Sequence, residues 1–300
     1  MKNSGARLTR LAFAACLVVV GIACSKSDSA PAVATVSFTA SKTRVPLGAP
    51  IDLTYRFNVA PNATITGDYR VFVHIVDDNG NPLAWNDDHD PKPPTSQWKP
   101  GQTVEYTRTV FIPVFPYVGE ATVEVGLYKG KDRLPLAGPD AADRTSPVRS
   151  YKVGTITFQA PSESILLVRK AGWHPEEFGA ENPALTWQWT QKVATLSFRN
   201  PRSDILLYLD FDARTDVFSD HPQQVTVYSG SQAVTTFAAD NGTPVLRRIP
   251  VTAEQLGTSE MGELRIEVDR TFVPSRLTTG GGKDMRELGI RVYHAFVEAR

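Results

Sequence analysis

The chain has 300 residues, with 32 Lys+Arg balancing 32 Asp+Glu, five histidines and two cysteines. Without a basic excess or a basic stripe there is nothing to neutralise a phosphate backbone, so the composition argues against a nucleic-acid binder. Two cysteines are too few for a disulfide framework or a zinc knuckle, and the length is enough for two domains that each bury a core of their own.

The N-terminus carries Lys2, Arg7 and Arg10 ahead of an apolar run from Leu11 to Ala23, the pattern of an export signal. That run is shorter than the roughly 20 residues a membrane-spanning helix needs. It closes on Gly21-Ile22-Ala23-Cys24 and passes at once into polar Ser25-Lys26-Ser27-Asp28-Ser29. This resembles a bacterial lipobox, with Gly21 where leucine is usual. The resemblance implies cleavage before Cys24 and a diacylglycerol on its sulfur. Cys16 is the competing cysteine, but cutting there would discard the apolar run from Leu17 to Ile22. A plain cleaved signal or an uncleaved anchor is the alternative. Removing the three basic residues of the signal leaves 29 Lys+Arg against 32 Asp+Glu, a net charge near −3. The adjacent position after Cys24 holds no Asp, where inner-membrane retention is often signalled, so the outer membrane is expected if the organism has one. Residues 1–23 are read as the signal and 24–34 as a flexible tether.

From residue 35 the chain reads as short alternating runs between turn residues, the signature of an antiparallel sandwich. Strands are expected at 36–39, 51–57, 69–76, 82–85, 104–110, 121–128 and 151–158, with Asp77-Asp78-Asn79-Gly80 as a hairpin turn. Within this segment, residues 71–76, Asp88-His89, Pro93-Pro94-Thr95-Ser96-Gln97-Trp98-Lys99-Pro100-Gly101, residues 125–128 and Arg133-Leu134-Pro135 resemble an Ig-like module. Similar modules are attached to bacterial membrane glycosyltransferases of glycan assembly. The resemblance covers about a quarter of the chain. It implies an accessory domain outside the membrane.

The second segment, 161–300, shows runs at 165–168, 185–190, 194–198, 205–211, 264–268 and 288–293, and a hairpin over 224–234 turning at Gly230. It is read as a jelly-roll-like sandwich. Phe272-Val273-Pro274-Ser275 and residues 284–290 resemble the closing motifs of galactose-binding-like, carbohydrate-binding-module-like domains. Fold resemblance alone does not assign a ligand. The expected fold class is therefore all-β, two tandem antiparallel sandwiches with an Ig-like unit over 35–160 and a jelly-roll-like unit over 161–300.

Four stretches carry residues with chemical potential. Asp87, Asp88 and Asp90, in Asn86-Asp87-Asp88-His89-Asp90, could gather oxygens for calcium, but no EF-hand spacing exists and a solvated or backbone-capping loop uses the same residues. His174-Pro175-Glu176-Glu177 sets an imidazole beside two carboxylates, yet also suits a helix start. Gly280-Gly281-Gly282-Lys283 lacks the spacing of a phosphate loop and reads as a turn. Trp173, Trp187 and Trp189 could form a stacking surface for sugar rings, or pack in the core; Trp187 and Trp189 share a face if they lie on one strand. No assembled nucleophile, metal site or cofactor cradle is found in the sequence. The expectation is a non-enzymatic protein without cofactor, attached to the membrane by lipid on Cys24. Its partner is an envelope polysaccharide, or alternatively an envelope protein such as a glycosyltransferase, and not nucleic acid.

Overall fold

The computed structural model describes residues 30–138, 148–277 and 282–300. The signal segment, Cys24 and residues 280–281 of the glycine run lie outside the described residues. Gly282 has a φ of 61°, as a turn at that point requires. No helix among the described residues is long and apolar enough to cross a membrane.

Regular structure is almost entirely strand. The first half contributes β1 (Ala34–Ala40), β2 (Arg44–Pro46), β3 (Pro50–Val59), β4 (Arg70–Val76), β5 (Pro82–Asn86), β6 (Thr103–Phe111), β7 (Gly119–Lys129), β8 (Asp132–Arg133), β9 (Leu136–Ala137) and β10 (Tyr151–Gln159). They form a sheet of order β6-β3-β1-β9 facing one of order β2-β10-β7-β4-β5, with β8 paired to β7. Short β2 lies parallel to β10, so the chain changes sheets just after β1. The order β6-β3-β1 against β10-β7-β4 is that of an immunoglobulin-type sandwich. Period-two alternation buries Leu53, Phe57, Val73, Val125, Ile156 and Phe158 between the sheets. A fully buried side chain such as Phe57 or Leu53 contributes about 1.5–3 kcal/mol.

The Thr-Ser-x-Trp-x-Pro-Gly stretch closes one end of this sandwich. Thr95 accepts the Tyr69 amide at 2.7 Å and donates to the Gly67 carbonyl at 2.9 Å. Trp98 packs against Phe57 with ring centroids 4.9 Å apart, and its indole N–H donates to the Pro93 carbonyl. The motif is accounted for by packing.

The second half contributes β11 (Leu167–Arg169), β12 (Glu177–Phe178), β13 (Thr186–Trp189), β14 (Val193–Arg199), β15 (Ile205–Asp212), β16 (Gln223–Ser229), β17 (Gln232–Ala239), β18 (Val245–Val251), α1 (Ala253–Leu256), β19 (Met261–Val268) and β20 (Arg291–Ala299). Two five-stranded antiparallel sheets result, β11-β14-β19-β16-β17 and β12-β13-β20-β15-β18, between which the chain crosses after almost every strand. Leu196, Phe198, Val225 and Ile266 of the first meet Leu207, Leu209, Phe211 and Val292 of the second in a continuous core.

Several elements differ from the sequence expectation. No helix starts at Pro175, because the His174 amide bonds to the Trp189 carbonyl and the chain runs on as β12 beside β13. Strand β18 is an additional edge strand, with Pro250 tolerated there since an edge needs fewer ladder donors. The one α-helix among the described residues is a single turn opened by a reciprocal Thr252–Gln255 capping box.

The two sandwiches meet on the outer face of β15, β18 and β20. Register places Tyr208 opposite Arg248 and Phe296, and Asp210 opposite His294, all turned away from the core residues Leu207 and Leu209. Arg248 reaches Asp52 and Thr109 of the first sandwich. Phe111 stacks on His294 with centroids 4.3 Å apart and planes 6° from parallel. Lys42 pairs with Glu298, which also accepts the Tyr208 hydroxyl at 2.9 Å. Burial, then that carboxylate, pushes the Tyr208 pKa up to about 12.

Candidate functional site

The three tryptophans have three different environments. Gly172, with φ of 82°, turns the chain so tightly that a Cβ there would lie 1.8 Å from the Val193 carbonyl oxygen. This places Trp173 against the second core, where its indole N–H donates to the Thr195 carbonyl at 2.9 Å and the Arg169 guanidinium lies 5.2 Å from its ring. Trp187 and Trp189 do share a face of β13. Their face is the outer one, because the intervening Gln188 is registered with core residue Val292 while Trp189 is registered with Arg291. Trp189 is only 7% exposed, since Phe272 and Leu288 cover it in a small second core outside the sheet. Trp189 is thus packed, without being in the inter-sheet core.

Trp187 is half-buried at the margin of that cluster. Its indole N–H donates to Glu177 at 3.1 Å. Arg291 lies 5.2 Å from its ring, 5.5 Å from that of Trp189 and 5.3 Å from that of Tyr293, so the aromatic cage is filled by the protein's own guanidinium. Buried Asp212 fixes Arg291 with two hydrogen bonds and accepts the Tyr293 hydroxyl at 2.8 Å. Burial opposes the charge on Arg291, but the Asp212 hydrogen bond and charge raise its pKa overall; Tyr293 is raised by burial, then by the same carboxylate. On the rim, Arg286 donates to Glu177 at 2.7 Å and grips Asp284, which holds the Asp284 carboxyl below its ordinary range. The result is one aromatic ring framed by planar polar groups whose orientations are locked to each other.

His174 and Glu177 do not form an acid–base pair in this arrangement. The imidazole is buried and its Nε2–H donates to the Glu287 carbonyl, while Glu177 is occupied by Trp187 and Arg286. Sequence reading missed Arg286, Arg291 and Asp212. The available signal was an arginine that opens β20 and an aspartate that closes β15, registered opposite each other.

The aspartates of the first sandwich separate. Asp88 accepts the Val73 amide at 3.0 Å, and Asp90 pairs with Arg70 at 3.1 Å on the surface. Asp87 turns inward, accepting the Tyr55 hydroxyl at 2.9 Å and both Nε and Nη2 of Arg108. These divergent directions do not gather a coordination sphere, and no group of three or more metal-ligating side chains is found among the described residues. His89 completes a network: its Nδ1 meets the Asp87 carbonyl at 2.6 Å and its Nε2 the Tyr106 hydroxyl at 2.8 Å. Arg108 enters this network because it is registered opposite core residue Leu53, on the inward side of edge strand β6. Burial lowers the His89 pKa, and burial with the Asp87 charge drives the Tyr55 phenol far above its usual range.

No protein-family model matches the sequence, and no curated protein does. Among solved structures, the alkylpurine DNA glycosylase AlkC of Pseudomonas fluorescens is similar over 43% of this chain and 31% of its own, at 16% identity with a TM-score of 0.28. A β-glucuronidase of Bacteroides uniformis is similar over 86% of this chain and 28% of its own, at 12% identity and 0.30. The CBM51-2 and INT domains of Clostridium perfringens ZmpB are similar over 61% and 38%, at 10% identity and 0.23. The chain spans less than half the length of each of these structures, and likeness of this degree carries no argument about ligand or activity.

Proposed function

We propose that this chain is a non-catalytic lipoprotein of the bacterial envelope, tethered through Cys24, that binds an envelope polysaccharide at Trp187. The tether holds both sandwiches outside the cytoplasm, on the outer membrane where one exists. One observation carries the binding site: the half-buried Trp187 ring sits among Glu177, Arg286 and Asp284, whose hydrogen bonds hold them in place. A ring face offers the apolar side of a pyranose a stacking surface, and pre-oriented planar groups answer its hydroxyls without paying an ordering cost. Trp173 and Trp189 act as packing residues in this reading. The test is retention of the full mature chain on envelope polysaccharide and glycan arrays. Retention is expected, and Trp187→Ala should abolish it while the variant remains folded at the assay temperature, as a cooperative melting transition checks; equal retention by the variant defeats the proposal.

The second reading is a protein scaffold docking onto a membrane glycosyltransferase or another envelope complex. It is favoured by exposed apolar side chains on strand edges, with Phe178 68% and Leu185 43% exposed beside β12. Cross-linking in intact cells that recovers a protein partner and no glycan, with recovery lost in Phe178→Glu, would select this reading.

A further inference from the structure

A cleft of about 290 Å³ opens at the side of the first sandwich, where edge strand β6 faces the segment following β5. Asp90, Lys92, Tyr106, Thr107, Arg108 and Thr109 line it. Arg108 is among these, with a side chain 37% exposed. Its Nε and Nη2 donate to buried Asp87, which is in turn fixed by Tyr55. That engagement leaves the two protons of Nη1 unused by Asp87 and holds the guanidinium plane rigid. Rigid presentation matters because a planar guanidinium fits a carboxylate by geometry as well as by charge.

The charges around the cleft are easily balanced. Asp87 offsets Arg108, Asp90 is paired with Arg70, and Asp88 is turned away onto the Val73 amide. Lys92 is exposed at the lip, and among the described residues no carboxylate pairs with it. The cleft therefore combines a guanidinium held by Asp87 with an exposed ammonium, the two donor types that hold carboxylates. It lies close to the seam, since Thr109 of its lining also accepts Arg248 from the second sandwich.

We propose that this cleft binds a small carboxylate, with Arg108 Nη1 and Lys92 Nζ as the donors. The carboxylate belongs to an acidic sugar or to a peptide C-terminus, and both present the same planar anion. The site is separate from Trp187 and stands or falls without it. The experiment titrates the full mature chain at low salt with sodium glucuronate, an N-acetylated dipeptide and glucose, read by calorimetry and by backbone amide shifts. Glucuronate should bind with a Kd of about 1 mM and shift the amides of Lys92, Thr107 and Arg108, while glucose leaves them unmoved. Lys92→Glu should weaken binding about tenfold or more, Lys92→Arg should retain it, and Trp187→Ala should leave it unchanged. Because Lys92 is exposed, an unaltered melting temperature confirms that these variants fold. Tighter binding of glucuronate assigns the site to an acidic sugar, tighter binding of the dipeptide assigns it to a peptide C-terminus, and equal binding of both supports a site for the shared carboxylate. No saturable shift at these amides, or binding indifferent to Lys92→Glu, overturns it.

Discussion

Arg108→Met isolates the central polar contact of the first sandwich. In the native chain the Asp87 carboxylate, 7% exposed, receives Arg108 and the Tyr55 hydroxyl. Methionine keeps much of the aliphatic volume but leaves the carboxylate with one neutral donor. Stripping one partner from a fully buried ion pair costs about 3–5 kcal/mol. The Arg108 side chain is 37% exposed, so water reaches the vacated position and the cost falls to about 2–3 kcal/mol. For a unit of this size that is a drop of about 5–10 °C in Tm. Urea denaturation of the single variant, of Asp87→Asn and of the double variant completes a cycle. The double variant should recover part of the loss, because no ionised carboxylate then remains buried alone. A single-variant cost below about 0.5 kcal/mol, or strict additivity in the cycle, would refute the argument that this inward arginine is required by Asp87.

Trp189→Ala should destabilise the chain by about 3–5 kcal/mol, because the ring is covered by Phe272 and Leu288, whereas Trp187→Ala should cost far less; chemical denaturation separates them. His89 is held neutral by burial, so its folded pKa lies below the unfolded value near 6.5. Its contribution is complete above that value and is lost as pH falls toward the folded pKa; stability measured from about pH 7 to 5 should decline less in His89→Gln than in the wild type. At the seam, Phe111→Ala combined with Arg248→Ala removes the ring stack and the Asp52 contact, and calorimetry should split one unfolding transition into two. One unchanged transition would show that these two contacts do not carry the coupling between the sandwiches.

The all-β fold was legible because alternation is strict where one face of a strand is buried. The run 51–57 places alternate apolar residues between sheets and coincides with β3, while 205–211, buried on both faces because Tyr208 packs at the seam, coincides with β15. Edge strand β18 was not legible. Arg247 breaks its apolar pattern, though its guanidinium lies 4.9 Å from the Phe237 ring and its stem covers the core margin. The Pro175 segment misled for a related reason: proline followed by acidic residues fits a helix start locally, but the ladder to Trp189 decides. The tryptophan site was half legible. Period two put Trp187 and Trp189 on one face, but which face was inward depended on Val292, a hundred residues later, and on a loop cluster that no local pattern announces. The aspartate run was misleading in the same way, since its three directions are set by Arg70, Val73 and Arg108 on other strands.

The most direct test of the proposed function compares two variants of the mature chain on immobilised envelope polysaccharide: Trp187→Ala, and Trp173→Phe as a control for general loss of aromatic packing. Glycan binding at the Glu177-framed ring predicts retention by wild type and Trp173→Phe and release of Trp187→Ala, each assayed well below its own melting temperature. Retention of Trp187→Ala at the wild-type level, or absence of retention in every form, would contradict it.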